Sequence, residues 1–415
     1  ITMDNGKILE NIDIRIEGNR IAEIGENLKG DEKIDCSGRI IMPGLVNTHT
    51  HAAMTFLRGF RDDLELNEWL REMWRVEARL TPEIVYAGSK LAIYEMLSTG
   101  TTAFIDMYFF PDETAKAAKE LGIKAKLGPP ILGLDANLDA LKKEIITFAK
   151  NYERDELVKP FINVHSIYAC PLEALDLSKN LSEELNLDIQ IHVSETRKEV
   201  FDCKKKYGVF PVELLEKRGF LSERVQMVHL GWITSWEIGL IRKRNAKVTH
   251  CPTSNMKLAT AGFFPFKEMH DMGITIGLGT DGAASNNCLD MFREMKNAVL
   301  LQRNNYWNTD LKAYHVLQAA TVNGAKIFGI NSGKIAPGYL ADLIIINPYS
   351  PNLQPIRNDN LISNIVYSAI GTNVEITIVN GKIVYDSRNR EQIERIREEI
   401  KQIGEKINEF IVQEH

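Results

Sequence analysis

The chain has 415 residues, a length that favours two domains or one large barrel with an attachment over a single small core. Its net charge of -6 argues against a nucleic acid or an anionic membrane surface as partner, because both are bound through basic patches. No apolar run approaches the roughly 18 to 20 residues that a membrane helix needs. The five cysteines are odd in number and lack paired spacing, so they predict free thiols in a reducing cytoplasm.

Both ends of the chain predict short β-strands. Residues 12–16 and 21–24 alternate apolar and polar side chains on either side of a Gly-Asn turn. Residues 374–379 show the same alternation near the other end. We therefore expect residues 1–43 and 335–415 to form one small composite β-sandwich domain built from both termini.

The last part of this domain predicts a helix. Isoleucines recur at spacings of three and four between residues 393 and 407, with charged residues between them. We expect the apolar face of this helix to pack on its own protein. The alternative is contact with a second copy of the chain in a homo-oligomer.

The middle of the chain alternates short apolar runs with helical patterns. Residues 82–98 and 171–185 predict helices, and each has a proline in its first turn. Eight strands alternating with helices over residues 44–334 fit a (β/α)₈ barrel, an α/β fold of typically ~250 residues, better than an open sheet. The predicted strands are residues 44–46, 103–105, 124–127, 161–164, 189–191, 225–228, 247–249 and 275–278.

Polar residues follow the predicted barrel strands, at the end where barrels carry their catalytic groups. His49 and His51 are two apart in a strand, so both side chains face the barrel interior and can share one ion. Imidazole nitrogens suit zinc or iron, and a carboxylate completes a site rich in nitrogen and oxygen. Two solvated histidines would explain His-x-His alone, but not polar residues at four further strand ends. The residues at these ends are His49, His51, His165, His192, Glu195, His229 and Asp281.

Three segments carry a family resemblance that spans nearly the whole chain. Residues 43–51, PGLVNTHTH, resemble the strand-one signature of the amidohydrolase superfamily. Residues 279–287, GTDGAASNN, resemble the strand-eight segment of its methylthioadenosine/S-adenosylhomocysteine deaminases. Residues 333–343 resemble the return of that family's chain into its composite β domain. The resemblance implies a metal-dependent hydrolase that acts on an adenine ring.

The resemblance also implies one divalent ion, zinc, with Fe²⁺ as the alternative. Its ligands would be His49, His51, His192 and Asp281, which agrees with the open position that a catalytic zinc keeps. Two-metal relatives bridge their ions with a modified lysine at the end of strand four. Here the nearest lysine, Lys159, precedes that strand, so one ion is expected.

The chemistry of the adenine ring assigns three residues to catalysis. Attack on C6 places negative charge on the ring, and Glu195, three residues beyond His192, is expected to protonate N1. Asp281 would take the proton from water and pass it to the departing ammonia. His229 would hydrogen-bond the attacking oxygen.

Substrate contacts follow from the same resemblance. Glu77 would bind the ribose hydroxyls, and His165 would lie near the ring or the ribose. Trp69 is expected to line the pocket, with a core position as the alternative. Some family members carry arginines after strand three that reach the distal part of the substrate, and residues 127–137 contain none. The carboxylate of S-adenosylhomocysteine would therefore be less well paired, and methylthioadenosine, 5′-deoxyadenosine and adenosine are further expected substrates.

Two other functions remain open at this point. Glu195 could protonate any ring nitrogen, so guanine or cytosine deamination and triazine dechlorination are alternatives, although Glu77 favours a nucleoside. A barrel that serves as a scaffold without catalysis is the second alternative. Such a protein would be expected to lose its metal ligands, and this chain retains all of them.

Overall fold

The computed structural model describes residues 1–64, 66–260 and 262–412. Sixteen strands are present in these residues. In chain order, β1 to β16 are Asp13–Glu17, Arg20–Gly25, Ile40–Pro43, Leu45–Thr50, Thr101–Asp106, Lys124–Leu127, Pro130–Ile131, Val158–Pro160, Ile162–Ser166, Ile189–Val193, Val225–His229, Lys247–His250, Ile276–Leu278, Leu343–Ile346, Val374–Val379 and Lys382–Asp386.

The same residues contain sixteen α-helices and three short 3₁₀ turns, at Ala52–Leu57, Pro351–Leu353 and Gly371–Asn373. In chain order, α1 to α16 are Leu66–Glu77, Pro82–Ser98, Pro111–Leu121, Leu138–Tyr152, Glu173–Leu185, Arg197–Tyr207, Pro211–Lys217, Ser235–Arg244, Pro252–Lys257, Phe266–Asp271, Ala283–Asn286, Met291–Tyr306, Ala313–Ala320, Val322–Phe328, Leu361–Tyr367 and Arg390–Val412.

The predicted barrel is confirmed, and it is built from two parallel sheets. One sheet has the order β4-β5-β6-β8 and the other the order β13-β12-β11-β10-β9-β7. The strand predicted at residues 161–164 corresponds to β9, which pairs with β10, and the residues just before it form a separate strand, β8, which pairs with β6. Beside β13 the backbone N–H of Asp281 donates to the carbonyl of His49 at 3.0 Å, which ties the last strand to the first.

The predicted helices also form, with one change of boundary. Helix α2 begins at Pro82 after Thr81, whose side chain accepts a hydrogen bond from the Ile84 N–H, as an N-cap residue does. Helix α5 begins at Glu173, two residues later than predicted, because Pro171 lies in the preceding turn and its carbonyl accepts from Ala174.

Strands from both ends of the chain meet in the second region, as predicted. The antiparallel sheet β16-β15-β14-β3 joins residues before the barrel to residues after it. The β1–β2 hairpin contacts the same region through the Ile21 N–H, which donates to Tyr339 at 2.9 Å. Strand β14 begins at Leu343. The division at residues 43 and 335 remains a prediction, and residues 413–415 lie outside the described part.

The last helix packs on the barrel of its own chain. The rings of Phe410 in α16 and Phe56 lie 5.9 Å apart in an edge-to-face arrangement. Glu399 accepts a hydrogen bond from Tyr94 at 2.5 Å and pairs with Lys90 at 2.7 Å, and both partners lie on α2. Within the described residues, no helix is long and apolar enough to cross a membrane.

Candidate active site

Three histidines and one aspartate converge at the carboxyl end of the barrel. His49 lies on β4 and His51 directly follows it, His192 lies on β10, and Asp281 follows β13. The Nε2 atoms of His49 and His192 are 3.1 Å apart. Asp281 Oδ1 lies 3.5 Å from His49 Nε2 and 3.2 Å from His51 Nε2. One donor atom from each of the three histidines fits within 4.8 Å of the others.

The histidine tautomers suit metal binding. Each of the three histidines turns its Nδ1 toward a protein oxygen, which leaves the Nε2 lone pair directed at the shared point. Three such nitrogens and a carboxylate match the donors of a catalytic zinc site that keeps one position open. These residues therefore fit a divalent cation. The oxygens are Gln190 Oε1 for His49 at 2.9 Å, Met107 O for His51 at 2.6 Å and His165 O for His192 at 2.8 Å.

The protonation states of the cluster also suit metal binding. Burial lowers the pKa of His49 and of His192, so both are neutral, as ligands must be. Burial also opposes a charged Asp281, but the close contacts with His49 and His51 hold the pKa of this carboxyl well below its usual range. Burial works against a charged His51 as well, yet Asp281 raises the pKa of His51 to about 9. A metal ion would displace the proton that this pair shares.

Three barrel strands end in residues with left-handed backbone. Ser194 follows β10 with φ 53°, His229 ends β11 with φ 78°, and Asp281 follows β13 with φ 61°. Side chains other than glycine rarely adopt this conformation, and each instance costs on the order of 1–3 kcal/mol unless surrounding contacts hold it. Here the carbonyl of Ser194 accepts from the Trp232 N–H at 3.1 Å. The strained turns lie where the functional side chains enter the cleft.

Glu195 and His229 face each other beside the metal cluster. Glu195 Oε1 lies 3.9 Å from His229 Nε2. Burial raises the pKa of Glu195 to about 8, and the charge of Asp281 adds to the effect. Glu195 is therefore mainly protonated at neutral pH and can donate a proton.

His229 has the complementary character. Its Nδ1–H donates to Asn255 Oδ1 at 2.9 Å, and burial lowers the pKa of the ring. The ring is therefore neutral, with its Nε2 lone pair available as a hydrogen-bond acceptor. His229 also lies within reach of the metal donors, because His49, His229 and Asp281 form a second possible ligand group.

The predicted substrate residues line the same space, which we call the barrel cleft and which is bounded by His51, Glu77, His165, Glu195 and Asp281. The cleft contains about 790 Å³ of space free of protein atoms, part of it open to solvent. Burial raises the pKa of Glu77, whose carboxylate accepts a hydrogen bond from Tyr108 at 2.6 Å. Burial lowers the pKa of His165 to about 3, so this ring is neutral.

Helix α1 forms one wall of the barrel cleft. Trp69 lies in this wall, 5% exposed, and its indole N–H has no hydrogen-bond partner among the residues that the structure describes. A buried donor without a partner is costly unless a ligand satisfies it. The remaining wall is largely apolar, and no lysine or arginine of the described residues lines it. Its apolar residues include Met54, Leu70, Met73, Met107, Leu132 and Leu258.

The sequence analysis did not identify the residues that orient this set. Gln190 lies two residues before His192 in β10, so the strand alternation could have placed it on the same face. Ser254, whose hydroxyl donates to Asp281 Oδ2 at 2.6 Å, and Asn255 lie in α9, where no spacing rule points to the cluster. His250 stands apart from them, because its ring stacks on Phe264 with centroids 4.4 Å apart, outside the lining of the cleft.

The barrel and the donor cluster define a metal-dependent hydrolase. The chain belongs to the amidohydrolase family, whose pattern matches residues 40–384. This result confirms the family that the sequence segments indicated, and with it the binding of a divalent metal.

Three known proteins show how close the likeness is. The 5-methylthioadenosine/S-adenosylhomocysteine deaminase 1 of Archaeoglobus fulgidus is 42% identical over 402 residues, which are 95% of this chain and 93% of that protein. The 5′-deoxyadenosine deaminase of Methanothrix thermoacetophila is 43% identical over 384 residues, with 92% and 91% covered. A solved adenosine deaminase from Xanthomonas campestris with bound zinc gives a TM-score of 0.93 at 30% identity, with 98% and 96% covered.

Proposed function

We propose that this protein hydrolyses the amino group from the adenine ring of 5′-substituted adenosines, giving the inosine-type nucleoside and ammonia. The observation that carries the proposal is Glu195, a buried carboxyl with a pKa of about 8 beside a divalent-metal cluster. Ring deamination needs such a proton donor next to an activated water. The curated relatives that act on 5′-modified adenosines support the choice of ring.

The metal of this proposal is a single zinc ion, with Fe²⁺ as the alternative. His49, His51, His192 and Asp281 are its ligands. Three neutral imidazoles and a carboxylate suit both metals. When bound, the ion supplies Lewis acidity that makes a water nucleophilic near neutral pH.

Three side chains move or hold protons during the reaction. Glu195 donates its proton to N1 of the ring, so that attack at C6 does not build negative charge there. Asp281 accepts a proton from the attacking water and delivers it to the amino group, which leaves as ammonia. His229 accepts a hydrogen bond from the attacking oxygen through Nε2, because its Nδ1–H is held by Asn255. The second proton of the water returns to Glu195 as the C6=O bond forms and ammonia leaves. Water and nucleoside thus give the inosine-type product and ammonia, with both carboxyl groups restored.

The remaining cleft residues bind the nucleoside. Glu77 accepts hydrogen bonds from the ribose hydroxyls, and His165 contacts the ring or the ribose. Trp69 packs on the substrate, and its partnerless indole N–H supports a polar contact there as well.

The apolar wall of the cleft takes the 5′ substituent. A methylthio group or a hydrogen suits this wall, whereas the carboxylate of a homocysteine group would find no lysine or arginine among the described lining residues. We therefore rank methylthioadenosine and 5′-deoxyadenosine above S-adenosylhomocysteine, with adenosine between them.

The setting of the enzyme is part of the same proposal. All five cysteines are free in the structure, which supports a reducing cytoplasm. Residues 44–334 form the metal-dependent barrel, and residues 1–43 with 335–415 form the composite β domain. The net charge of -6 supports a small-molecule partner without nucleic acid, and a homo-oligomer is compatible with the proposal.

Ammonia release with ultraviolet spectra tests the function directly. The purified chain, loaded with zinc or with Fe²⁺, is given methylthioadenosine, 5′-deoxyadenosine, adenosine, S-adenosylhomocysteine, guanine and cytosine. We expect conversion of the adenosines and none of guanine or cytosine. If the metal-loaded protein released no ammonia from any of the adenosines, the proposal would be overturned and another ring hydrolysis would be favoured.

A further inference from the structure

Glu199 is a buried carboxylate that the reaction steps above do not use. It lies at the third position of α6 and is 5% exposed. The N-cap residue of this helix, Thr196, accepts the Glu199 N–H through its hydroxyl at 3.0 Å. In an ordinary capping box the glutamate would return to the N–H of the N-cap residue itself. Here the carboxylate reaches further back along the chain.

The Glu199 carboxylate binds the loop that carries the proposed acid. Oε1 accepts from the N–H of Ser194 and Oε2 from the N–H of Glu195, each at 2.9 Å. Each oxygen thus holds one backbone donor. Burial raises the pKa of Glu199, and these N–H groups act in the opposite direction because they stabilise the charged form.

The backbone of this loop is strained and depends on hydrogen bonds to keep its conformation. Ser194 has φ 53°, a left-handed conformation that serine rarely adopts. Its carbonyl is fixed by the Trp232 N–H at 3.1 Å, and its N–H is fixed by Glu199. The strained residue is therefore clamped from two sides, immediately before Glu195.

We propose that Glu199 is a positioning residue: its two hydrogen bonds fix the Ser194–Glu195 backbone so that the Glu195 carboxyl points at the reacting ring. The inference rests on the proposed function. It adds a residue that touches neither substrate nor metal and acts only through Glu195. A proton donor must lie within hydrogen-bond reach of its acceptor, so a small displacement of this loop should lower the rate.

A matched control exists in the same chain. Glu237 is also fully buried at the third position of a helix, α8, after the N-cap residue Thr234. One of its oxygens accepts from the Thr234 N–H at 3.1 Å, and the other accepts from the Val212 N–H at 3.0 Å. Glu237 does not line the barrel cleft. Glu199→Gln and Glu237→Gln therefore remove the same chemistry from a loop that carries the acid and from one that does not.

The test compares zinc-loaded wild type, Glu199→Gln and Glu237→Gln in kcat, KM, metal content and melting temperature. Glutamine keeps the shape but turns an NH₂ group toward one backbone N–H, so one hydrogen bond is lost. We expect Glu199→Gln to lower kcat by roughly 10–100-fold, with KM changed less than about threefold and metal content unchanged. Glu237→Gln should lower the melting temperature by about as much as Glu199→Gln does. Its kcat should stay within about threefold of the wild-type value.

The pH profile separates positioning from mere helix capping. Burial raises the pKa of Glu199 to about 8 as well, so Glu199 ionises in the same pH range as Glu195 and the two charges repel each other. Glu199→Gln removes this repulsion and should therefore lower the pKa of Glu195 and shift the alkaline limb of kcat to lower pH. Glu237→Gln should leave that limb in place. A kcat and a pH limb of Glu199→Gln that match those of Glu237→Gln would overturn the proposal.

A second variant covers the case that Glu199→Gln does not fold. Glu199→Asp keeps the charge with one methylene fewer, and a lower kcat at constant KM is again expected. Wild-type kcat in Glu199→Asp would count against positioning. Failure of the proposed function gives a different result, because the wild-type protein itself would then release no ammonia from any adenosine.

Discussion

Charged groups are buried at both ends of the barrel, but the two ends treat them differently. At the amino end, the Lys124 ammonium on β6 binds the Asp342 carboxylate, and both side chains are almost completely buried. Nearby, Lys126 pairs with Asp188 at 2.6 Å. At the carboxyl end, Asp281 faces histidines, and no lysine or arginine of the described cleft lining offers a partner.

The comparison shows that burial of charge does not by itself indicate function. The Lys124 charge is neutralised within the protein, because Asp342 Oδ1 accepts hydrogen bonds from the ammonium and, at 2.8 Å, from the Asn380 N–H. Asp342 Oδ2 has no hydrogen-bond partner among the described residues. The carboxyl end instead turns several lone pairs toward one open cleft. The converging donor atoms lack a positive charge among them, and a bound cation would supply that charge.

The largest effect is expected from removing a metal donor. His192→Ala takes away one imidazole of the cluster, so we expect loss of bound metal and of ammonia release together. Elemental analysis and the deamination assay measure the two effects. His250→Ala is the matched control, since His250 is equally buried but stacks on Phe264 outside the cleft. Full metal content and activity in His192→Ala would contradict the ligand assignment.

The next effect tests the proton donor. Glu195→Gln keeps the size of the side chain but removes its transferable proton, so kcat should fall by about 10²–10⁴-fold. Metal content and melting temperature should stay near those of wild type, which shows that the loss is chemical. Steady-state kinetics on methylthioadenosine measure it. A fall of less than about fivefold would assign the proton transfer to another group.

Breaking the pair at the amino end should affect stability and not catalysis. Lys124→Ala leaves Asp342 charged and buried without its main partner, which costs about 3–5 kcal/mol in the free energy of unfolding. Denaturant unfolding measures this loss, and kcat per folded molecule should not change. The double variant Lys124→Met, Asp342→Leu should recover most of the stability. A loss of kcat in Lys124→Ala would show that the two ends are coupled.

The fold was largely predictable because its signals are local. The eight apolar runs of the barrel and the turns of the chain ends are each visible in a few consecutive residues. The separate strand β8 just before Phe161 was not predictable, since it depends on which neighbour β8 and β9 each pair with. The start of α5 was missed for a similar reason, because Pro171 serves a turn instead of the first helical position.

The site was predictable only in part. His49, His51, His192, Asp281 and Glu195 could be proposed because they follow strands whose ends meet in a barrel. The residues that orient them were missed, since Asn255 and Glu199 lie in helices and their hydrogen bonds cross between elements. Left-handed backbone at Ser194 left no sequence signal either, because serine is not the residue that such a conformation favours.

The pH dependence follows from the raised pKa of Glu195, about 8. The residue must be protonated to donate, and the protonated fraction falls as the pH rises through this value. We therefore expect kcat to fall by about tenfold per pH unit above roughly pH 8. Glu195→Gln has no such group, so its residual activity should lack this limb. An unchanged alkaline limb in that variant would assign the titration elsewhere.

The smallest effect concerns the 5′ substituent. With no lysine or arginine in the described lining, S-adenosylhomocysteine should have a kcat/KM about tenfold or more below that of methylthioadenosine, because its carboxylate loses water without gaining a partner. Leu132→Arg would place a guanidinium in the cleft wall and should narrow this ratio. Leu134→Arg is the control, since Leu134 is 68% exposed and outside the lining.

Leu132→Arg and Leu134→Arg could change the kcat/KM ratio of methylthioadenosine to S-adenosylhomocysteine by the same factor. In that case general charge attraction, and not a contact inside the cleft, would govern the preference between these substrates. A smaller kcat/KM ratio in Leu132→Arg alone would show that the substrate carboxylate contacts the new arginine inside the cleft. The amino end already has a lysine partner for each of the carboxylates Asp342 and Asp188. Leu132→Arg would give the described cleft lining its first arginine, and the kcat/KM of S-adenosylhomocysteine would measure its effect.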